Sequence, residues 1–225
     1  MANPYMLDTE TRALESGGTS TGPAYLMAVR ALNDYGKTGG LLVDVGCGKG
    51  KLWSHVSGMF SDYIGADVIR YDGYPDSLKF VKVDLDTGGV QLPSDHADTV
   101  ASLETIEHLE NPRSFVRELV RLAKPGGVVL VTTPNQQSVI SLLCLHLRGH
   151  YRFFKEGPGH YPAHITALLE LDLRRIAQEC GLVDVKIYYS NLIQIPRTVR
   201  RLPGIFRGRL FSDNIAVIGR KPAPA

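Results

Sequence analysis

The chain has 225 residues, 44% of them hydrophobic, and a formal net charge of +2 at neutral pH, so it can bury one good core. Its three cysteines are an odd number without CxxC spacing, which argues against a disulfide framework or a zinc site and favours a reducing, cytoplasmic location. The N-terminus has no secretory signal pattern, and the longest apolar run, 139–147, falls short of the roughly 20 residues of a membrane span.

Short apolar segments alternate with segments of helical periodicity along the chain. The polar, Gly/Ser/Thr-rich residues 1–22 predict an N-terminal arm that is mobile unless a ligand orders it. Strands are predicted at 41–45, 63–67, 79–84, 97–103, 128–133, 183–189 and 215–218. Helices are predicted at 23–35, 51–60, 113–123 and 166–180. This alternation is typical of a single α/β domain, here 1–225, with a mostly parallel sheet.

The most informative segment is LLVDVGCGKG, residues 41–50, in which a strand ends in a glycine-rich loop. Gly46, Gly48 and Gly50 can take positive φ and let the backbone approach a ligand closely. A dinucleotide loop of the form G-x-G-x-x-G would need a glycine where Lys51 stands. The compressed G-x-G-x-G spacing, with Asp44 ahead of it, resembles the S-adenosylmethionine (SAM) loop of the Rossmann-like methyltransferases.

The resemblance extends from about Leu41 to Asn135. The strand YIGAD ends at Asp67, about twenty residues after the first glycine, where a carboxylate can accept both ribose hydroxyls of a nucleoside. The segments ETIEHLENP and KPGGVVLVTTPN are similar to those of the SAM-dependent methyltransferase superfamily. The resemblance implies a Rossmann-like seven-stranded, mostly parallel sheet with helices on both faces and an antiparallel last strand. The alternative for the loop is a tight turn without a ligand.

SAM is the cofactor that this resemblance implies, and in such sheets it binds outside the carboxyl ends of the strands. The glycine loop is expected to line its methionine and ribose, Asp84 with Leu85 its adenine edge, and Glu104 its sulfonium. The full set of expected cofactor-binding residues is Asp44, Gly46, Cys47, Gly48, Gly50, Asp67, Asp84, Leu85, Leu103 and Glu104.

Methyl transfer to an oxygen needs a base within hydrogen-bond reach of the acceptor's proton, and the candidates are His108, His160 and His164. The E-x-x-E-H spacing of Glu104, Glu107 and His108 is a second feature of this region. Similar triplets coordinate magnesium in ubiquinone-biosynthesis O-methyltransferases and, with a further histidine, in small-RNA 3′-terminal 2′-O-methyltransferases. His160 or His164 would be that histidine here. We expect a hydrogen-bonded loop role for the triplet and predict no metal.

Two segments, 135–165 and 195–210, are long for connections in a compact domain and are predicted to form a lid over the acceptor pocket. The second interleaves arginines with apolar residues, and residues 197–225 hold seven Lys/Arg and one acid. This pattern favours an amphipathic or anionic acceptor and peripheral membrane contact through 195–210. A solvated connecting loop is the alternative.

The sequence therefore predicts a SAM-dependent methyltransferase that acts on a small-molecule, lipid or glycan acceptor at oxygen. One alternative is an RNA 2′-O-methyltransferase that uses a divalent metal. Neither an RNA-binding accessory domain nor an aromatic-basic platform supports it, so nucleic acid is disfavoured as a partner. The other alternative is a non-catalytic SAM-binding or partner-binding module. Nothing in the sequence predicts the oligomeric state.

Overall fold

The computed structural model describes residues 9–36, 39–157, 163–190 and 208–223. Seven strands form one sheet in the order β3-β2-β1-β4-β5-β7-β6. The strands are β1 Leu41–Val45, β2 Asp62–Asp67, β3 Lys79–Lys82, β4 Ala97–Leu103, β5 Ala123–Pro134, β6 Val183–Tyr189 and β7 Asn214–Arg220. All neighbours pair in parallel except β7, which runs antiparallel to β5 and β6. The predicted fold class is confirmed.

Helices cover both faces of this sheet. They are α1 Thr9–Ser16, α2 Gly22–Asp34, α3 Lys51–Val56, α4 Pro112–Leu122, α5 Val139–Arg148 and α6 Glu170–Glu179, with a 3-10 turn at Ile106–His108. Successive residues of β1 point to opposite faces, so Leu42 packs in the core layer of α2 and α3 while Val43 and Val45 pack in the layer of α4 and α6. This double burial explains why the central strands read as continuous apolar runs. None of the described helices is long and apolar enough to cross a membrane.

Several elements differ from the sequence-based prediction, among them helix α6, which begins at Glu170 rather than near residue 166. Helix α3 ends at Val56 rather than near residue 60, because a turn closed by Met59 N donating to Val56 O precedes β2. Strand β5 begins earlier than predicted, because Ala123 pairs with Ala97 before a register shift. Helix α5 lies in the 135–165 segment, for which no helix was predicted.

The N-terminal arm contains α1, which has no buried residue and is held by polar contacts. Tyr71 Oη donates to the carbonyl of Ala13, and Lys49 N donates to the carbonyl of Gly18 at 2.9 Å. These contacts join the arm to the loops that follow β1 and β2. That the arm moves when no ligand is bound stays a prediction.

Candidate functional site

A cavity opens at the carboxyl ends of β1, β2 and β4, beside the point where the strand order reverses from β1. Ligands of open α/β sheets bind at this kind of position. Of the residues predicted to bind the cofactor, those that line the cavity are Asp44, Gly46, Cys47, Gly48, Asp67, Leu85, Leu103 and Glu104. Gly50 instead caps the start of α3 with φ 69°, and Asp84 does not line the cavity but accepts from Thr9 Oγ1 at 3.1 Å.

The first two loop positions require glycine on two grounds. Gly46 and Gly48 have φ values of 75° and 51°, a region that side chains disfavour. A Cβ at Gly46 would overlap the Thr105 hydroxyl, and a Cβ at Gly48 would overlap the carbonyl oxygen of Gly18. The loop therefore packs against both the segment after β4 and the N-terminal arm, and its two glycines line the cavity without side chains.

Two buried carboxylates flank this loop. Asp67 Oδ2 accepts from Gly48 N at 2.8 Å and Oδ1 from Val68 N at 2.7 Å, and the Ile69 backbone also hydrogen-bonds the carboxylate. Backbone amides therefore fix the carboxylate and still leave acceptor capacity for a ligand. Burial raises the pKa of Asp67. Asp44 accepts from Tyr63 Oη at 2.7 Å, and burial raises its pKa to about 7. Asp67 is therefore the better placed of the two to accept from a ligand's hydroxyls.

Helix α1 forms a wall of the cavity that sequence reasoning missed. Arg12 pairs with Asp86 at 2.6 Å and donates through Nη1 to the carbonyl oxygen of His108 at 3.1 Å. The arginine thus ties the arm to the segment after β3 and to the turn after β4. The arm buries no apolar stripe, so its sequence has no amphipathic periodicity from which this helix could be predicted.

Glu104, which directly follows β4, is held by residues of β5 and β7. It has a φ of 53°, its Oε1 accepts from Thr132 Oγ1 at 2.8 Å, and its Oε2 accepts from Asn214 Nδ2 at 2.7 Å. Burial raises its pKa to about 7. Both carboxylate oxygens are engaged, so Glu104 presents a fixed polar surface to the cavity.

Glu107, three residues later, is completely buried and only half satisfied. Its Oε2 accepts from Thr133 Oγ1 at 3.1 Å, whereas Oε1 has no hydrogen-bond partner among the described residues. Burial, and secondarily the nearby Glu104 carboxylate, raise its pKa well above the ordinary value. A buried carboxyl oxygen without a partner is costly, so this atom marks a place for a proton or a cation.

Two of the predicted catalytic histidines meet beside Glu107. His108 Nδ1 lies 2.9 Å from the carbonyl oxygen of Ala163, and His164 Nδ1 lies 2.9 Å from that of Phe153. A carbonyl only accepts, so Nδ1 is the protonated nitrogen of each ring, and the lone pair of the neutral form of the ring is on Nε2. The two rings are edge to face with centroids 4.7 Å apart, and both line the cavity. Burial lowers the pKa of His108, against hydrogen bonds of its ring with the backbone of Ala163 and Glu104 that raise it, and so favours the neutral ring.

Glu107, His108 and His164 also fit a divalent cation. Each offers one ligand atom, and these atoms lie within 4.8 Å of one another. One carboxylate and two imidazoles suit manganese, iron or zinc better than magnesium, which prefers oxygen ligands. Glu104 is outside this cluster, so the structure divides the E-x-x-E-H triplet into one residue held by strands and two that converge with His164.

The predicted lid is only partly within the described residues. His160 and residues 195–207 lie outside them, so their expected places at the pocket stay predictions. Of the described residues in 135–165, His164 alone lines the cavity. Most of that insertion contributes α5 and the loop that positions His164.

The sheet order, the glycine loop and the strand-end carboxylates define a Rossmann-like protein with a site for a nucleoside cofactor. Residues 23–187 match the family described as "Methyltransferase domain". This match covers most of the chain, so the protein belongs to the SAM-dependent methyltransferases of the Rossmann-like class.

The chain is similar to several curated relatives. It is 30% identical over 156 residues to a protein named ubiquinone biosynthesis O-methyltransferase from Thiobacillus denitrificans, a match that covers 63% of each chain. It is 27% identical over 167 residues to a protein of the same name from Ruegeria pomeroyi, a match that covers 68% of this chain and 64% of the relative. The chain thus spans less than two thirds of the length of these relatives.

Solved structures show the same fold. A SAM-dependent methyltransferase from Archaeoglobus fulgidus superposes with a TM-score of 0.62 at 19% identity, covering 95% of this chain and 100% of the other. One from Thermotoga maritima gives 0.66 at 15% identity and covers 94% of each chain.

SAM, the cofactor of this family, fits the cavity's donor set. Gly46 and Gly48 line it without side chains, and Asp67 keeps acceptor capacity beside its backbone donors. Close backbone approach and a ribose-binding carboxylate are what a nucleoside needs at this edge of the sheet.

Proposed function

We propose that the protein transfers the methyl group of SAM to an oxygen atom of a small-molecule acceptor. The observation that carries this proposal is the fixed orientation of His108, whose Nδ1 donates to the Ala163 carbonyl and whose Nε2 lone pair belongs to a residue lining the cavity. That nitrogen is a base of the kind a hydroxyl acceptor requires. The names of the ubiquinone-biosynthesis relatives, which are O-methyltransferases, support transfer to oxygen.

When bound, SAM supplies an electrophilic methyl group, and the chain's residues do the rest. Gly46 and Gly48 let the cofactor approach the loop backbone closely. Asp67 would accept hydrogen bonds from the hydroxyls of its ribose. Glu104, locked by Thr132 and Asn214, forms the cavity wall at the end of β4. The protein's contribution is alignment in a preformed site.

His108 takes the acceptor's proton on Nε2. Its neighbour His164 is held by the Phe153 carbonyl and lines the same cavity, so it orders the acceptor side of the site. His108 would hold the acceptor's proton while the acceptor oxygen displaces the sulfur of bound SAM at the methyl carbon, and the broken carbon–sulfur bond would leave its electron pair on S-adenosylhomocysteine.

The test replaces His108 with Gln, which keeps a polar side chain but removes the base. We expect kcat to fall by about 10²- to 10⁴-fold with an unchanged Kd for S-adenosylhomocysteine. His96→Gln is the matched control, because His96 precedes the opposite end of β4 and should leave both quantities unchanged. An unaltered kcat in His108→Gln would remove the histidine from the proposal.

A metal-assisted version of the same transfer is the second candidate. It is favoured by the cluster of Glu107, His108 and His164, whose ligand atoms lie within 4.8 Å of one another. These three residues would hold the cation, which would polarise the acceptor oxygen. Dialysis against a chelator, followed by titration with manganese, zinc or magnesium, separates the two versions.

The acceptor class is proposed more broadly as a small molecule, a lipid or a glycan. Radiolabelled methyl transfer into fractionated extract, with and without nuclease, tests it: label that survives nuclease and partitions with lipid or small metabolites supports the proposal. Nuclease-sensitive label would favour RNA, and SAM binding without transfer would favour a non-catalytic module.

We also propose that 195–210 acts as an acceptor-side lid with peripheral membrane contact, on the basis of its arginines interleaved with apolar residues. Replacing Arg200, Arg201 and Arg207 with Gln should raise the KM for the acceptor and leave SAM affinity unchanged. Unchanged acceptor kinetics would assign the segment to a solvated loop.

A further inference from the structure

The turn that carries His108 is held on two sides. On one side, the amides of Ile165 and Thr166 both donate to the carbonyl oxygen of Glu107 at 2.9 Å. On the other side, the carbonyl oxygen of His108 itself accepts from Arg12 Nη1 at 3.1 Å. The first tether comes from the connection that leads into α6, whereas the second comes from α1 in the N-terminal arm.

Arg12 bridges two neighbouring elements with one guanidinium group. While Nη1 donates to the carbonyl of His108, Nη2 pairs with Asp86 at 2.6 Å, and the side chains of this pair are only 12% and 9% exposed. Asp86 Oδ1 also accepts from Glu110 N at 2.9 Å, just beyond the turn. The planar fork of an arginine holds two acceptors in a fixed relation, which a lysine ammonium on its flexible stem does not. The turn is therefore referenced to the segment after β3 through Arg12.

The depth of this contact distinguishes it from a second ion pair on the same helix. Glu10 of α1 pairs with Lys82 of β3 at 2.6 Å, but these side chains are 53% and 67% exposed. An exposed pair contributes little, because water screens it and both side chains lose freedom in forming it. A charge-assisted hydrogen bond out of water is stronger and more directional. Of these two contacts, that of Arg12 is the one able to fix a backbone position.

We propose that Arg12 is a positioning residue for His108, acting through the backbone carbonyl of that histidine. The ring is fixed at Nδ1 by the carbonyl of Ala163, and the backbone is fixed by Arg12, so the two contacts together set the direction of Nε2. A displacement of about 1 Å at a reacting group can cost about a hundredfold in rate. The effect on rate rests on the proposed methyl transfer, whereas the positioning itself does not.

Direct binding of an anionic acceptor by Arg12 is the alternative, because Arg12 also lines the cavity. The contacts of Arg12 disfavour it. Asp86 already compensates the positive charge, and Nη1 and Nη2 are both engaged. Direct binding would raise the KM for the acceptor, whereas positioning of the base lowers kcat.

The test of positioning that needs no acceptor is NMR spectroscopy of the imidazole nitrogens in the ¹⁵N-labelled full chain with S-adenosylhomocysteine. The signals of His108 are identified by their loss in His108→Gln. We expect Arg12→Gln to move these signals and Arg12→Lys to move them less, since a lysine can keep one of the two contacts. Glu10→Gln is the matched control, because it breaks the exposed pair of the same helix with Lys82, and it should leave the signals in place.

A double-mutant cycle shows whether Arg12 acts on the rate through His108. The rate is that of tritiated methyl transfer from saturating SAM into a fixed amount of the extract fraction that takes up label. We expect Arg12→Gln to lower it about 10- to 100-fold, with a Kd for S-adenosylhomocysteine within about threefold of the wild type. His108→Gln should have the same rate with and without Arg12→Gln, because no base remains to be positioned. Glu10→Gln should have the wild-type rate.

Unmoved His108 signals in Arg12→Gln, or a further fall in rate when Arg12→Gln is added to His108→Gln, would overturn the proposal in favour of a structural tether. A rate in Arg12→Gln that returns to the wild-type value when more of the extract fraction is added would overturn it in favour of direct acceptor binding. A wild-type rate in His108→Gln would refute the base of the proposed function, while moved ring signals in Arg12→Gln would still show the positioning.

Discussion

Replacing Asp67 with Ala tests the cofactor site most directly. The carboxylate accepts from Gly48 N and Val68 N, and its remaining lone pairs are the proposed acceptors for the ribose hydroxyls. The variant loses that charged acceptor in a buried position, which should weaken SAM binding by about 1.5 to 3 kcal/mol. This corresponds to a Kd roughly 10- to 150-fold higher. Because the two backbone amides also lose their partner, the free energy of unfolding should fall as well, by about 1 to 3 kcal/mol.

Isothermal titration with SAM and with S-adenosylhomocysteine measures the first effect, and urea unfolding measures the second. Asp76→Ala is the control, since Asp76 is 99% exposed and pairs only with the surface residue Arg70. It should change neither quantity by more than about 0.5 kcal/mol. Equal SAM affinity in Asp67→Ala and the wild type would refute the assignment of this carboxylate to the ribose.

Three further predictions follow from the geometry of the site. Gly46→Ala should abolish SAM binding and lower the free energy of unfolding in urea, because its Cβ overlaps Thr105 at a φ of 75°; Gly58→Ala, with open space around its Cβ, should do neither. Chelator treatment should leave methyl transfer unchanged if His108 acts as a base, whereas activity lost to the chelator and restored by manganese or zinc would place a cation at the histidine cluster. The unfolded Asp44 carboxyl loses its proton at lower pH than the buried one, whose pKa is about 7, so it contributes stability that is lost as pH rises from about 4 to 7. Asp44→Asn should reduce the slope of stability against pH in urea unfolding, and the remaining slope belongs to Asp67, Glu104 and Glu107, whose pKa values burial also raises.

The glycine loop and Asp67 could be predicted from the sequence because their signals are local. A strand, a compressed glycine spacing and an acid at the end of the next strand lie within 27 residues, from Leu41 to Asp67, and strand pairing brings them together without any distant partner. Asp84 belongs to the same series of strand-end acids, yet its carboxylate faces Thr9. Nothing local shows that an N-terminal residue will occupy it.

Two helices, α1 and α5, were not predicted from the sequence, and the physical reason is the same for both. Amphipathic periodicity reports burial of an apolar stripe, and neither helix buries one. Helix α1 is held by polar contacts such as that of Arg12 with Asp86, and α5 turns its leucines outward. Elements that bury no apolar stripe in the core are therefore the ones that pattern reasoning misses.

The E-x-x-E-H triplet shows that a sequence motif identifies ionisable side chains but does not determine which of them are hydrogen-bonded and which can bind a proton or a metal. Glu104 and Glu107 are both buried carboxyls three residues apart, but the first is satisfied by Thr132 and Asn214 and the second keeps an oxygen without a partner. The difference arises from pairing across β4, β5 and β7, over sequence separations of 28 and 110 residues. Glu104 is therefore fixed as a wall of the site, while the protonation or metal binding of Glu107 depends on what enters between it and the two histidines.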